Sequence, residues 1–447
     1  MSTAGWFLVA SIVGLGFTLN ALRPRRRPVF LLGVSFFSAW LTTELAVFHL
    51  AWQLVATAAF VAAGALGSWP GVVALALTCA SWVGLATIVA GSLRTGAVFD
   101  AALRESLGEA IAGGGEPPHA VPWRRVLLPN PRRPGVERIR HLAYDDDDHR
   151  RHRLDIYRPR VPVSGEPVSG APVLLQIHGG AWMIGSKEQQ GLPLMYPLAQ
   201  HGWVCVAINY RLSPRATWPD HLVDCKRALA WVKQHIAEYG GDPDRIVVTG
   251  GSAGGHLCAM IGLTENDERF QPGFEAVDTS VRAFIPIYAV YDFTDRAGIR
   301  GPRDPLRRAL ERHIVKRVRD EDHEAFDLAS PMSHVGDDVP PCLVVHGALD
   351  TLAPVEEARY FVALLRAVST EPVAYAELPG AHHAFDVFPS IRCLLAVDRI
   401  GRFATWAVSE VRRTVAPATG RSGGGGGEPA SDRTTTARTE PSPVPPA

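Results

Sequence analysis

Residues Gly250-Gly251-Ser252-Ala253-Gly254 form a G-x-S-x-G element. It follows the apolar run Ile246-Val247-Val248 and precedes a helix-compatible stretch over residues 255–262. Strand, sharp turn, serine and helix in that order make a nucleophile elbow, with the serine Oγ standing clear for attack. Glycines flank such a serine because the turn is strained and the backbone crowded. The helix that follows aims its first N–H groups at developing negative charge. The chemistry these residue types fit is acyl transfer through Ser252. A simple glycine-rich turn has the same composition, so the reading rests on three further segments.

Upstream, Val173-Leu174-Leu175-Gln176-Ile177 reads as a buried strand, and His178-Gly179-Gly180-Ala181-Trp182 follows it directly. The pair Gly179-Gly180 lets backbone N–H groups point into a cleft, where they can form an oxyanion hole with Ala253 N–H as a further donor. His178 is expected to orient this loop by hydrogen bonding. Downstream, the strand-like Pro341-Cys342-Leu343-Val344-Val345-His346 leads to Asp350. A carboxylate just past a strand end can hold a histidine in one tautomer and stabilise its imidazolium. The competing role for Asp350 is a cap for a helix over residues 355–365. Finally, Val373-Ala374-Tyr375-Ala376-Glu377-Leu378 reads as a strand, and His382 and His383 follow it. Either imidazole suits a general base, because it titrates near neutral pH. Serine, then acid, then histidine is the chain order of the α/β-hydrolases.

Over residues 178–385 the chain resembles the hormone-sensitive-lipase-like branch of α/β-hydrolase esterases, within it the membrane-associated Lip carboxylesterases of actinobacteria. Ala207-Ile208-Asn209-Tyr210-Arg211-Leu212-Ser213-Pro214 and Gly240-Gly241-Asp242-Pro243-Asp244-Arg245 add to the resemblance. It implies a mostly parallel sheet with helices on both faces and a Ser252–Asp350–His383 triad, selecting His383 over His382. It also implies an oxyanion hole at the loop containing Gly179, Gly180 and Ala181, together with Ala253. Many relatives carry a third glycine where this chain has Ala181, which brings a side chain to the edge of the hole.

The elements that must position these groups occupy only part of the 447 residues. Within residues 1–96 the charged side chains are Arg23, Arg25, Arg26, Arg27, Glu44 and Arg94. The segments 6–22, 46–66 and 71–91 are apolar and near the ~20 residues a span requires. Residues 29–41 are ambiguous among a short span, a re-entrant piece and an interfacial loop. Three spans are expected, with the Arg23–Arg27 cluster and the catalytic domain on the cytoplasmic side of a multi-pass membrane protein. Glu44 and His49 are expected near an interface or satisfied between helices. The resulting division is a membrane-spanning helical region (1–96), an amphipathic helix and connector (97–135), a catalytic domain (136–413) and a disordered Gly/Ser/Thr/Pro-rich tail (414–447). In the amphipathic segment Phe99, Ala102, Leu103, Leu107, Ala110 and Ile111 share a face, ended by Gly113-Gly114-Gly115. It fits the membrane surface, the mouth of the site, or simple packing on the domain.

Forty-five basic and 45 acidic side chains balance, which gives nothing for nucleic acid to bind. The six cysteines have no metal-ligand spacing and read as small buried hydrophobes. Asp145-Asp146-Asp147-Asp148 lacks calcium-loop spacing and reads as a solvated hairpin loop. No cofactor or metal is expected. The expected partners are a lipophilic ester and a lipid bilayer. Two rival functions share this sequence: a membrane acyltransferase using the same triad, and an inactive membrane-tethered binding protein.

Overall fold

The computed structural model describes residues 1–25, 29–108, 111, 121–130, 133–147, 149–160, 169–301 and 304–409. The expected tail, the glycine triplet at 113–115, Ala110, Arg26, Arg27 and Asp148 lie outside these residues.

The apolar N-terminal segments form α1 (Thr3–Leu22), α2 (Leu32–Glu44), α3 (Ala46–Ala62) and α4 (Trp69–Leu93). Helix α4 runs on into α5 (Thr95–Leu107), so 39 residues from Trp69 to Leu107 form one long helical stretch. Among the described residues two helices, α1 and the α4–α5 stretch, are long and apolar enough to cross a membrane by length and composition; there are three if the pair α2–α3, bent by 86°, counts as one. α1 and α4 pack through small residues and hydroxyls. Ser11 Oγ meets Thr78 Oγ1 and Thr18 Oγ1 meets Ser81 Oγ, both at 2.8 Å. Close backbone approach and hydrogen bonds of this kind are how apolar helices with small residues at their seam hold together.

A single eight-stranded sheet comprises β1 (Val136–Ala143), β2 (Arg153–Pro159), β3 (Ala171–Ile177), β4 (Val204–Ile208), β5 (Gly241–Gly251), β6 (Ala283–Ile287), β7 (Cys342–Gly347) and β8 (Val373–Leu378). Its order is β1-β2-β4-β3-β5-β6-β7-β8. β1 and β2 pair antiparallel at one side, and every pairing from β4 to β8 is parallel. Strands β4, β6 and β7 are buried along their whole length, as a sheet covered on both faces requires. Alternation sorts the side chains. Val204, Val206 and Ile208 enter the core on one face, while Cys205 and Ala207 enter the core on the other.

Helices α6 (Trp123–Leu127), α7 (Leu192–Gln200), α8 (Asp220–His235), α9 (Ala253–Leu263), α10 (Pro305–Ala309), α11 (His323–Leu328), α12 (Val355–Val368) and α13 (Ile391–Ser409) complete the described fold. α8, α9 and α12 cover one face; α5, α7 and α13 cover the other. The amphipathic α5 buries Phe99, Ala102 and Leu103 in the second of these cores, packed on the domain. Helix α10 is followed by a wide π turn, Leu310–Ile314, closed by Val315 N–H donating to Leu310 O. That turn buries both Leu310 and Ile314. All six cysteines are unpaired; five are buried and Cys79, on α4, is exposed.

The α1–α4 seam yields a prediction. A Cβ added at Gly84 would lie 2.5 Å from Thr18 Cγ2, and Thr18 is fixed by its bonds to Gly14 O and Ser81. Gly84→Val should therefore cost about 1–3 kcal/mol through overpacking. Thermal unfolding of the detergent-solubilised chain should show a lower Tm for Gly84→Val. Gly16→Val on α1, where a Cβ meets nothing within 4 Å, should leave Tm near the parent value.

Candidate active site

Ser252 follows β5 with φ 59° and ψ −121°, a left-handed conformation that lifts its side chain off the strand end. Its N–H donates to Ile287 O at 2.9 Å and its carbonyl accepts from His256 N–H at 2.9 Å. These two bonds pin a strained residue between the end of β6 and the first turn of α9. The turn leaves no room for side chains. A Cβ on Gly254 would sit 2.2 Å from Ile177 O. One on Gly179 would sit 2.5 Å from Gly251 O and 3.1 Å from Ser252 Cβ, so the loop after β3 lies directly against the serine.

That loop is held from behind. His178 stacks on Tyr210 with ring centroids 4.5 Å apart, and Tyr210 Oη donates to His178 O at 3.0 Å. Arg151 Nη2 donates to His178 Nε2 at 2.9 Å, leaving Nδ1–H to donate to Gly179 O at 2.8 Å. Burial pushes His178 down to about 3, so the ring is neutral and serves as a spacer between Arg151 and the loop. Gly179 N–H donates to Gln190 Oε1 at 2.7 Å. The N–H groups of Gly180, Ala181 and Ala253 have no protein acceptor among the described residues. Gly180 and Ala181 both carry positive φ, 121° and 52°. Trp182 is buried, its indole N–H donating to His256 Nδ1 at 3.3 Å.

Asp350 and His383 meet at the ends of β7 and β8, where His383 Nδ1 donates to Asp350 Oδ2 at 2.7 Å. Asp350 is wholly buried, and its Oδ1 accepts the N–H groups of Leu352 and Ala353, each at 2.8 Å. Helix α12 is preceded by Pro354 without a side-chain cap, so Asp350 does not cap it. Burial resists charge on Asp350; the His383 charge and hydrogen bond, with His346 and the Ala353 N–H, outweigh it and hold the carboxyl below its usual range. His382 turns the other way, and its Nε2 donates to Ala21 O at 2.9 Å. Among the described residues Ser252 Oγ makes no direct hydrogen bond to His383. Ser252, Asp350 and His383 nevertheless follow strands β5, β7 and β8 at one edge of the sheet, beside the β3/β5 reversal of strand order where α/β sheets open a crevice.

The BD-FAE family model matches residues 154–365. The probable carboxylic ester hydrolase LipM of Mycobacterium tuberculosis is 44% identical over 413 residues, covering 89% of this chain and 92% of that protein. The chain belongs to the hormone-sensitive-lipase-like carboxylic ester hydrolases of the Lip type. Esterase LipQ of the same organism is 46% identical over 286 residues, 63% of this chain and 66% of its own length. Among solved structures, an esterase from Thermogutta terrifontis aligns with TM-score 0.50 and 26% identity over 62% of this chain and 92% of that one. A carbohydrate esterase from gut microbiota shares the fold, with TM-score 0.54 and 24% identity over 61% of this chain and 97% of that one.

Several side chains at this esterase's site carry no local sequence signal. Tyr288, just past β6, lies 4.6 Å from the His383 ring and donates its hydroxyl to Asp386 Oδ1. Its position after a strand, like that of Ser252 and Asp350, was the available clue. Phe36 on α2 meets His383 edge-on at 6.2 Å, and Trp40 Nε1 donates to Ala384 O at 2.9 Å. The buried Glu44 accepts from Ser390 Oγ and pairs with Arg392, whose guanidinium also holds Pro379 O and Gly380 O ahead of His383. Within the acidic run, Asp145 pairs with Arg227 and Asp147 accepts from His152 Nδ1 at 2.7 Å.

Buried neutral histidines surround the site and give its stability a pH dependence. Burial pushes His178 and His256 down to about 3 and His221 down to about 4. The unfolded chain binds protons at these positions from about pH 6.5 downward, while the folded chain refuses them. Stability should therefore be complete above about pH 6.5 and decline as the pH falls toward the folded values. Guanidinium denaturation midpoints between about pH 7 and about pH 4.5 should fall with acid, and His256→Gln should flatten that slope.

Proposed function

We propose that this esterase cleaves lipophilic carboxylic esters through an acyl-enzyme on Ser252. Carrying the reading is the Asp350–His383 hydrogen bond of 2.7 Å at the strand ends next to the strained serine turn. Ser252 Oγ attacks the ester carbonyl as His383 Nε2 takes its proton. The tetrahedral intermediate then collapses, the C–O bond breaks, and His383 returns the proton to the leaving alcohol. Water repeats the attack on the acyl-serine, with His383 again as base, releasing the carboxylic acid and free Ser252. Asp350, ionised and buried, holds Nδ1–H in place and stabilises the imidazolium. The Ser252–His383 hydrogen bond forms when the ester docks, as catalytic hydrogen bonds commonly tighten only in the substrate complex.

The oxyanion donors in this mechanism are the N–H groups of Gly180, Ala181 and Ala253, which lack protein acceptors among the described residues. Gly179 is not a donor here, because its N–H is committed to Gln190. Its contribution is steric: the missing side chain brings the donor loop against Ser252. The Thermogutta terrifontis esterase has also been described with butyrate bound, in a structure 26% identical at TM-score 0.50. That makes a butyrate ester a reasonable first test substrate for this chain.

The N-terminal helices tether the enzyme to a bilayer in this reading. Ala21 near the end of α1 and Ser92 near the end of α4 both bond to the catalytic unit, at His382 and Arg392. With α1, α3 and α4 crossing, the N-terminus lies on the side away from the site. Arg23 and Arg25 then share the site's side, which the positive-inside rule makes cytoplasmic.

Ser252→Ala should lower turnover of a p-nitrophenyl butyrate ester by about 10⁴-fold or more. It should also abolish labelling by a fluorophosphonate probe. Asp350→Asn should lose about 10³–10⁴-fold with Ser252 still present. Undiminished turnover in folded Ser252→Ala would mean that another nucleophile does the work.

A further inference from the structure

Helix α2 has two apolar faces with different neighbours. One carries Phe36, Ala39, Thr43 and Glu44, all buried, and Trp40, against the loop that holds His383. Trp40 also stacks on Phe388 at 5.0 Å. The opposite stripe, including the turn that leads in, exposes Phe30 (81%), Val34 (68%), Phe37 (57%) and Leu41 (36%). These four recur at the spacing of one helix face. A helix packed on a protein in water presents charge or polarity on its outer side. This one presents phenylalanine, valine and leucine, and residues 32–43 contain no charged side chain.

Its length and direction limit what that stripe can meet. Thirteen residues make about 20 Å of helix, short of the ~30 Å hydrocarbon core. The chain then bends by 86° at the junction with α3. If α3 runs along the bilayer normal, α2 lies close to the bilayer plane. Exposed apolar side chains also lie on α1, including Ile12, Phe17 and Leu19, and on α3, including Trp52 and Val55.

We propose that α2 is an interfacial helix: its outer stripe rests in the acyl–headgroup boundary of the bilayer while its inner face walls the Ser252–His383 site. The proposal rests on the acyl-enzyme reading for the site and adds the route and class of substrate. An ester whose acyl chain is dissolved in the membrane reaches Ser252 along α2, with its carbonyl at the interface. Phe36 and Trp40 then line the way in and exclude water from His383. The bonds from Trp40 to Ala384 O and from Glu44 to Ser390 and Arg392 fix α2 against the histidine loop, so the depth of α2 in the lipid sets the depth of the site.

The test uses the full chain reconstituted in phosphatidylcholine vesicles. Phe37→Cys in a Cys79→Ser background is labelled with an environment-sensitive fluorophore, and the lipids are brominated either near the ester end or near the acyl terminus. The label should be quenched, more strongly by the shallow bromine. A label at Ala237→Cys, ahead of β5 at the opposite sheet edge, should not be. Absence of quenching at position 37, or its protection by a second copy of the chain instead, would overturn the assignment. In the second arm, Val34→Asp/Phe37→Asp should lower turnover of a long-chain aryl ester in the vesicles, relative to water-soluble p-nitrophenyl butyrate, by about tenfold or more. An unchanged ratio would also overturn it. Ser252→Ala separates the two ideas: activity surviving in that variant sinks the acyl-enzyme, while quenching at position 37 still reports on α2.

Discussion

The ion pair between Glu44 and Arg392 is the contact on which the arrangement of the molecule turns. Both side chains are buried, and they lie 348 residues apart in sequence. Burying two charges is expensive unless the remaining donors and acceptors are also satisfied. Here they are. Ser390 Oγ donates to the second carboxylate oxygen, and the guanidinium reaches Pro379 O, Gly380 O and Ser92 Oγ. One guanidinium therefore ties together α2, the end of α4 and the chain immediately before His383. Removing one partner of such a pair typically costs about 3–5 kcal/mol, because the other is left charged and buried. The helices of the N-terminal region are consequently part of the scaffold of the histidine loop.

A second constraint sets the geometry at the serine. The parallel strands β3, β5, β6, β7 and β8 end at one level, and the turns that leave them compete for the same space. The positions without side chains are where that competition is resolved: Gly179 against Ser252, and Gly254 against the carbonyls of Ile177 and His178. The polar residues behind them are neutral or paired. His178 has lost its charge to burial and works as a hydrogen-bonding spacer, and Asp350 keeps its own because His383, His346 and the Ala353 N–H face it. The result is one acid held ionised next to one imidazole, while the neighbouring histidines are held neutral.

How much of this the sequence disclosed depended on whether the signal was local. The strands before Ser252, Asp350 and His383 are continuous apolar runs, because a parallel sheet is buried on both faces. The 373–378 strand was legible to the residue. Helix α5 was legible as a helix through Phe99 and Leu103, but three surfaces could have received its apolar face; the one it meets is the second core of the sheet. Residues 29–41 stayed ambiguous because α2 is apolar on both sides, so periodicity cannot say which face meets protein. The commitment of Gly179 N–H to Gln190 was also out of reach, since a loop eleven residues on supplies the acceptor. Glu44 was legible only as a charge needing a partner; Arg392 is brought to it by the closure of the whole sheet.

These non-local contacts bear on how the apolar N-terminal helices and the hydrolase fold become one unit. Anchors that merely tether leave the catalytic face free to tumble within the reach of a linker. In this chain α4 passes through Arg94 into α5, and α5 is buried in the core beneath β8, so the long apolar helix runs directly into an element packed on the sheet. His382, next to His383 in sequence, is bonded to α1, and Ala384 on its other side is bonded to α2. The residue between them, paired with Asp350, is thus flanked on both sides by bonds to the apolar helices. Stiffness of that kind pre-organises the His383 imidazole, at the cost of making its geometry depend on the environment of the N-terminal helices.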